Sequence, residues 1–268
     1  MSKVILITGA SSGIGRSTAE YLASRGHRVY GTFRKLPTEA ISFSALQMDV
    51  TDPVSIRRAV DEVLQKEGNR IDVLINNAGL GIMAALEEVS LEMVQQLFST
   101  NVYGVLQVTQ AVLPTMRVQK SGHIINISSI AGTMGLPFRG MYSASKAAVE
   151  MMTEALSLEM RPFGVKVCSL LPGDVRTNIS QNRLTNLSSD TSPYHAIISE
   201  MNQKVNEDVG KSLDPLEISR KIEQIMASDS PKMHYVVAEP LQRLSIWLKR
   251  LMPDRSYEKI LANHYGLK

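Results

Sequence analysis

The chain has 268 residues, of which 44% are hydrophobic and 21% charged, and a net charge of +3. This is the composition of an ordinary soluble protein with a sizeable core, and the charge is too small to argue for nucleic acid as a partner. The single cysteine, Cys168, excludes an intramolecular disulfide and a cysteine-built metal cage, so no metal site is expected and a reducing, cytoplasmic setting fits.

In chain order, Lys3–Thr8 reads as an apolar strand without polar alternation. It runs straight into Thr8-Gly9-Ala10-Ser11-Ser12-Gly13-Ile14-Gly15 and the helical pattern Gly13–Arg25. Further strands are expected at Arg28–Phe33, Ala45–Met48, Val73–Ile75, His123–Ser128, Val165–Leu171 and His234–Val237. Helical periodicity covers Pro53–Glu67, Ser90–Gln119, Met141–Arg161 and Pro215–Ala227. Apolar strands alternating with helices imply an α/β fold: a doubly wound parallel sheet flanked by helices, in a single domain over 1–239. Only about ten residues separate Arg34 from the third strand, which leaves little room for a helix between them. No run approaches the roughly 18 apolar residues of a membrane span, and Gly9 comes too early for a signal-peptide apolar region.

Two regions depart from the alternation. The stretch 178–212 opens on a run rich in Asn, Ser and Thr after the sixth strand, where an open α/β sheet has its crevice, and is expected to be a substrate lid. The tail 240–268 is expected to be a helical extension with Leu241, Leu244, Leu248 and Leu251 on one stripe. Packing of that stripe on the main domain or on a subunit partner is the expectation, with peripheral membrane contact as the alternative.

Gly9, Gly13 and Gly15 lie between a strand and a helix start, where glycine permits a tight turn and close approach of backbone to a pyrophosphate. The spacing G-x-x-x-G-x-G differs from both G-x-G-x-x-G and the P-loop. The second strand points to the cofactor. A carboxylate at its end would favour NAD(H), whereas here it runs into Thr32-Phe33-Arg34-Lys35. Arg34 suits a 2′-phosphate, so NADP(H) is favoured over NAD(H).

Tyr142 and Lys146 stand four residues apart and share a face if their segment is helical. A phenol is a reluctant acid near neutrality, and a neighbouring ammonium would favour its ionised form. Such a tyrosine can exchange a proton with a carbonyl or alcohol oxygen. Ser128 and Ser129 end a strand at the carboxyl edge of the sheet, where either hydroxyl could bond a substrate oxygen. Asn101 lies within a helical pattern for which asparagine is a poor former.

Together these motifs resemble the short-chain dehydrogenase/reductase family across nearly the whole chain. The family's glycine motif matches residues 8–15, adding Ser11, Ser12 and Ile14 to the cofactor contacts. Its Asp-Val is similar to Asp49-Val50, its Asn-Asn-Ala-Gly motif to Asn76-Asn77-Ala78-Gly79, and its Tyr-x-x-x-Lys pair to Tyr142 and Lys146. Pro172-Gly173-Asp174-Val175-Arg176-Thr177 matches the segment at the nicotinamide end. The resemblance implies a Rossmann-type fold. By position it makes Tyr142 the proton donor or acceptor and gives Lys146 the nicotinamide ribose as well as the tyrosine. Ser129 rather than Ser128 would steady the substrate oxygen, and Asn101 would hold a water in the proton relay. It also implies a homodimer or homotetramer through Ser90–Gln119 and Met141–Arg161.

Within the family, Val29–Arg34, Asn77–Gly81 and Met134–Phe138 are most similar to the hydroxysteroid and retinol dehydrogenase branch. The implied activity is interconversion of a lipophilic ketone or aldehyde with its alcohol. The alternatives are reduction of a polar 3-oxoacyl thioester, which a basic pocket entrance would favour, and a non-catalytic cofactor sensor or scaffold.

Overall fold

A computed structural model describes residues 2–177, 183–185, 191–210 and 212–267. Strand β1 (Val4–Ile7) enters the glycine turn and α1 (Gly13–Ser24), followed by β2 (Arg28–Phe33), β3 (Ser44–Gln47), α2 (Pro53–Lys66) and β4 (Val73–Asn76). Next come β5 (Ile82–Met83), α3 (Leu91–Phe98), α4 (Gly104–Gln119), β6 (Gly122–Ile127), α5 (Gly140–Met160) and β7 (Val165–Pro172). The order closes with β8 (Leu184–Thr185), α6 (His195–Gly210), α7 (Pro215–Met226), β9 (His234–Val237), α8 (Pro240–Leu251) and α9 (Asp254–His264).

The main sheet has seven strands in the order β3-β2-β1-β4-β6-β7-β9, and its neighbours all pair in parallel. The expected doubly wound fold is therefore the one that forms. Its strands are apolar on both faces because successive side chains point to opposite sides. Ile5, Ile7, Val29, Val73, Ile75 and Ile125 pack with Leu22 of α1 and Ile218 and Ile222 of α7. Their neighbours Val4, Leu6, Tyr30, Leu74 and Ile124 pack with Ile56 and Val60 of α2 and Val108 and Val112 of α4. Both faces are thus covered, and polar chemistry is confined to the strand ends.

The structure departs from the sequence reading in several places. Ser90–Gln119 is not one helix. A π-turn at Ser99–Tyr103 separates α3 from α4 and carries the fully buried Asn101. Such turns recur at functional sites. Between β2 and β3, by contrast, no helix forms, as the ten-residue spacing leads one to expect, and Phe43 stacks on Phe33 at 6.0 Å. Within the expected lid, residues 178–182, 186–190 and 211 lie outside the described residues. Of the remainder, β8 pairs with β5 and 195–210 is the helix α6.

Within the chain the tail packs chiefly through Ile246, and of the leucine stripe Leu248 joins that contact. Ile246 is buried with Tyr257 and Met134, and Leu248, Met252 and Leu261 close around them. Leu241, Leu244, Trp247 and Leu251 remain exposed, Leu251 at 76%. A one-helix periodicity identifies an apolar stripe but not which neighbour covers it, and here α9 and the Met134 loop take the adjacent face. Among the described residues no helix is long and apolar enough to cross a membrane.

Candidate active site

The glycine turn and the Asn76–Gly79 segment leave adjacent strand ends and clamp each other. Thr8 Oγ1 accepts from the backbone N–H of Asn77 and of Ala78, both at 2.9 Å. Asn77 Nδ2 returns bonds to the carbonyls of Thr8 at 2.9 Å and Gly9 at 3.0 Å. Thr32, in β2, holds the turn from the other side through Gly9 N–H (3.2 Å) and Ala10 N–H (2.9 Å). Thr8 and Thr32 carry these bonds although the sequence reading gave neither a role.

Two of the glycines are obligatory on geometry. Gly9 has φ +69°, and a Cβ there would lie 2.9 Å from Ala78 Cα. A Cβ on Gly15 would lie 2.2 Å from the Gly9 carbonyl oxygen. Gly13 faces the Thr177 side chain. Ser12 is the N-cap of α1 but makes no side-chain capping bond, and Ser11 is exposed beside it. Ile14 turns away into the core. The first N–H groups of α1 therefore lack a side-chain cap behind a bare backbone turn, a fit for a pyrophosphate.

At the other end of this crevice Arg34 is exposed, and its side chain makes no hydrogen bond or ion pair among the described residues. Neighbouring Arg16, by contrast, is committed to Glu20 and Glu39. Asp49 Oδ1 accepts from Thr51 N–H (2.9 Å) and Thr51 Oγ1 (2.7 Å), fixing the turn after β3. Val50 is buried against Gly104.

Ser129, Tyr142, Lys146 and Asn101 converge although three separate segments of chain supply them. Ser129 caps a short helical turn through Ala131 N–H (3.1 Å), and its side chain acts on the Tyr142 phenol in the direction that favours its ionised form. Ser128 points away, donating to the Lys146 carbonyl at 3.3 Å. Lys146 Nζ donates to the Ile127 carbonyl (2.9 Å) and lies 5.9 Å from the Tyr142 ring centroid. Asn101 accepts from Leu80 N–H (2.8 Å) and donates to Leu80 O (3.0 Å) and to Ser145 Oγ (3.1 Å). Gly79 lies between Asn101 Oδ1 and Lys146 Nζ, 3.4 and 3.7 Å from where its Cβ would be.

The electrostatics differ from the simple pairing expected. Burial pushes the Tyr142 phenol above its ordinary value, against the pull of Ser129 and of the Arg139 and Arg183 guanidiniums. Burial also brings the Lys146 amine down to about 8, partly offset by the Glu150 carboxylate. In a desolvated crevice the cost of charge dominates both groups and disfavours the ionised form of each.

Pro172 ends β7, and Gly173 N–H bonds Val237 O at 2.9 Å. Gly173 faces the Gln242 side chain, whose Nε2 donates to Asp174 Oδ2 at 2.7 Å, so α8 borders the crevice. Val175 is buried and Thr177 stands against Gly13. Met83, Ala85 and Ile198 form an apolar wall with Phe138 and Tyr194. Phe138 sits at φ +57° with its carbonyl taking Ala84 N–H at 2.8 Å. Such a backbone is rare for an aromatic residue and persists only where the surroundings hold it.

The short chain dehydrogenase family model matches residues 3–188. A 3-ketodihydrosphingosine reductase of Bacteroides thetaiotaomicron is 41% identical over 268 residues, covering 99% of each chain. A short-chain dehydrogenase structure from Streptomyces avermitilis aligns with TM-score 0.83 at 33% identity, over 97% of this chain and 98% of that one. One from Burkholderia phymatum, in complex with NAD, aligns with TM-score 0.81 at 27% identity over 93% of each. With the glycine turn, the Asn-Asn-Ala-Gly clamp and the Tyr142–Lys146 pair on one sheet edge, the chain belongs to the short-chain dehydrogenase/reductase family and is an oxidoreductase of CH–OH and C=O groups.

Proposed function

We propose that the chain is an NADP(H)-dependent reductase, reversible as a dehydrogenase, of a lipophilic ketone or aldehyde and its alcohol. The observation that carries this reading is the convergence of Ser129, Tyr142 and Lys146 beside a backbone cradle suited to a pyrophosphate. Gly9, Gly13 and Gly15 with the α1 N-terminus would hold the diphosphate. Asp49 and Val50 would border the adenine, and Asn77, Ala78, Gly79, Pro172, Gly173, Val175 and Thr177 the nicotinamide half. When bound, the dinucleotide supplies or accepts the hydride.

The chain's own groups do the rest. Ser129 donates to the substrate oxygen and orients it towards Tyr142. Tyr142, kept protonated by burial, delivers its proton to that oxygen as the carbonyl becomes an alcohol. Lys146, itself partly desolvated, stabilises the phenolate left behind. Asn101 fixes the Leu80 backbone beside them and can hold a water for reprotonation.

Support for NADP(H) is the unpaired Arg34 at the end of β2, which leaves a planar donor fork for a 2′-phosphate. Family membership alone does not choose, since the Burkholderia relative was solved with NAD. Support for a lipophilic substrate is the wall of Met83, Ala85, Phe138, Tyr194 and Ile198, together with the keto-lipid name of the Bacteroides relative. A homo-oligomer through α4 and α5 is supported by exposed Leu106, Met151 and Leu158 on those helices, and a cytoplasmic setting by the lone buried Cys168.

The test is NADPH oxidation with long-chain ketones by wild type and Tyr142→Phe. The variant should lose about 10²–10⁴-fold in kcat, the usual worth of a positioned general acid, while binding NADPH as before. Retained turnover would refute the role of Tyr142. Tight cofactor binding by wild type without turnover of any carbonyl would favour the sensor reading.

A further inference from the structure

Helix α8 turns an apolar face away from the domain. At 100° per residue, Leu241, Leu244, Trp247, Leu248 and Leu251 fall within one arc of about 120°. Of these, Leu248 reaches the Ile246–Tyr257 cluster. Leu241, Leu244, Trp247 and Leu251 are 70, 50, 61 and 76% exposed. Single exposed leucines are ordinary on a protein surface, but four large apolar side chains along one helix face mark a contact surface.

Charge singles out the same helix. The tail 240–268 holds six Lys or Arg and two Asp or Glu, a net +4, while the whole chain carries +3, so residues 1–239 stand at −1. Arg243 and Arg250 lie side by side on α8, between the apolar arc and the buried Ile246, and both are exposed. Neither side chain has an ion pair or hydrogen bond among the described residues, whereas Lys249 pairs with Asp254 and Arg255 with Glu258. The helix dipole favours a cation at Arg250 near the C-terminus but disfavours one at Arg243 near the N-terminus.

We infer that α8 docks on an anionic lipid surface, with Leu241, Leu244, Trp247 and Leu251 entering the boundary between headgroups and acyl chains. Arg243 and Arg250 then meet lipid phosphates beside them. A short amphipathic helix with leucines and a tryptophan on one face and bordering arginines suits this in-plane position. The arginine stems lie along the apolar arc while their heads stay at headgroup level. A second copy of the chain fits the face less well. Four partly exposed side chains offer well under the roughly 800 Å² that each partner of a stable interface buries. In a two-fold pairing the unpaired arginines of both copies would also border one seam.

The inference goes beyond the reductase reading and does not depend on it. Gln242, on the side of α8 away from the arc, donates to Asp174 Oδ2 at 2.7 Å. Docking would therefore hold the crevice about one helix diameter, roughly 10 Å, from the lipid in which a lipophilic substrate dissolves.

Trp247 is the chain's only tryptophan, so its emission reports on this face alone. The test titrates the full chain with vesicles of phosphatidylcholine, and with vesicles of equal parts phosphatidylcholine and phosphatidylglycerol. Emission should shift to the blue with the anionic vesicles, and the protein should co-sediment with them at least tenfold more strongly than with phosphatidylcholine alone. Leu244→Gln/Leu251→Gln and Arg243→Gln/Arg250→Gln should each weaken anionic binding about tenfold or more, with thermal melting and NADPH binding unchanged. No blue shift in wild type, which no folding defect of a variant can confound, would overturn docking. So would equal binding to the two vesicle types, or binding unchanged in either double variant. A mass, by light scattering without lipid, that falls in Leu244→Gln/Leu251→Gln would assign the face to a second copy and overturn it as well.

Discussion

Lys146→Met tests how strongly the crevice desolvates its lysine. The amine falls from 10.5 to about 8 on folding, chiefly through burial. At about 1.4 kcal/mol per pH unit this corresponds to about 3 kcal/mol. A lysine whose pKa is lowered in the folded state binds its proton more readily in the unfolded chain. Between about pH 8 and 10.5 the unfolded state therefore carries more protons, and stability contributed by this group rises with pH. Below about pH 8 the cost is present in full.

Methionine is close in length and does not titrate. The difference in unfolding free energy, wild type minus Lys146→Met, should thus be roughly constant up to about pH 7.5 and then rise in favour of wild type. About 2 kcal/mol of the change should appear by pH 9.5. Urea denaturation of the cofactor-free proteins at matched pH values measures it, and the difference cancels the titration of other groups. A difference curve flat to within about 0.5 kcal/mol from pH 7 to 9.5 would refute the reasoning. Lys146 would then be solvated rather than buried, and its proximity to Tyr142 would carry no electrostatic weight.

Gly15→Ala places a methyl 2.2 Å from the Gly9 carbonyl oxygen and 2.4 Å from Asn77 Nδ2. Overpacking of that kind costs about 1–3 kcal/mol, so thermal melting should drop by about 3–10 °C and cofactor binding should weaken with it; an unchanged melt would contradict the clamp. Arg34→Gln should raise the NADPH Kd about tenfold or more, as expected for losing a charge-assisted hydrogen bond, while NADH binding barely moves, and equal effects on both would remove the case for a 2′-phosphate. Light scattering should find wild type as a dimer or tetramer, with Met151→Glu/Leu158→Glu shifted to smaller species; a monomeric wild type would refute association through α5.

The succession of strands and helices along the chain, the glycine turn and the Tyr142–Lys146 pair were legible because they are local. Periodicity reports which residues a strand or helix buries, and a four-residue spacing on a helix fixes a shared face whatever surrounds it. Asn101 was conspicuous as a polar residue in an apolar helical pattern, but the π-turn that turns it towards Leu80 depends on a partner twenty-one positions away in the chain. The tail's leucine stripe was visible in sequence, yet burial went to Ile246, because the face that packs is decided by the shape of α9 and the Met134 loop. Electrostatics were the least legible. An ammonium beside a phenol suggests an acidic phenol, but burial, a property of the whole fold, raises Tyr142 and lowers Lys146 itself. By itself the sequence determined which elements form and which family's chemistry they carry; the tertiary structure alone decided which charges share the crevice, because desolvation and long-range proximity exist only once the sheet edge is assembled.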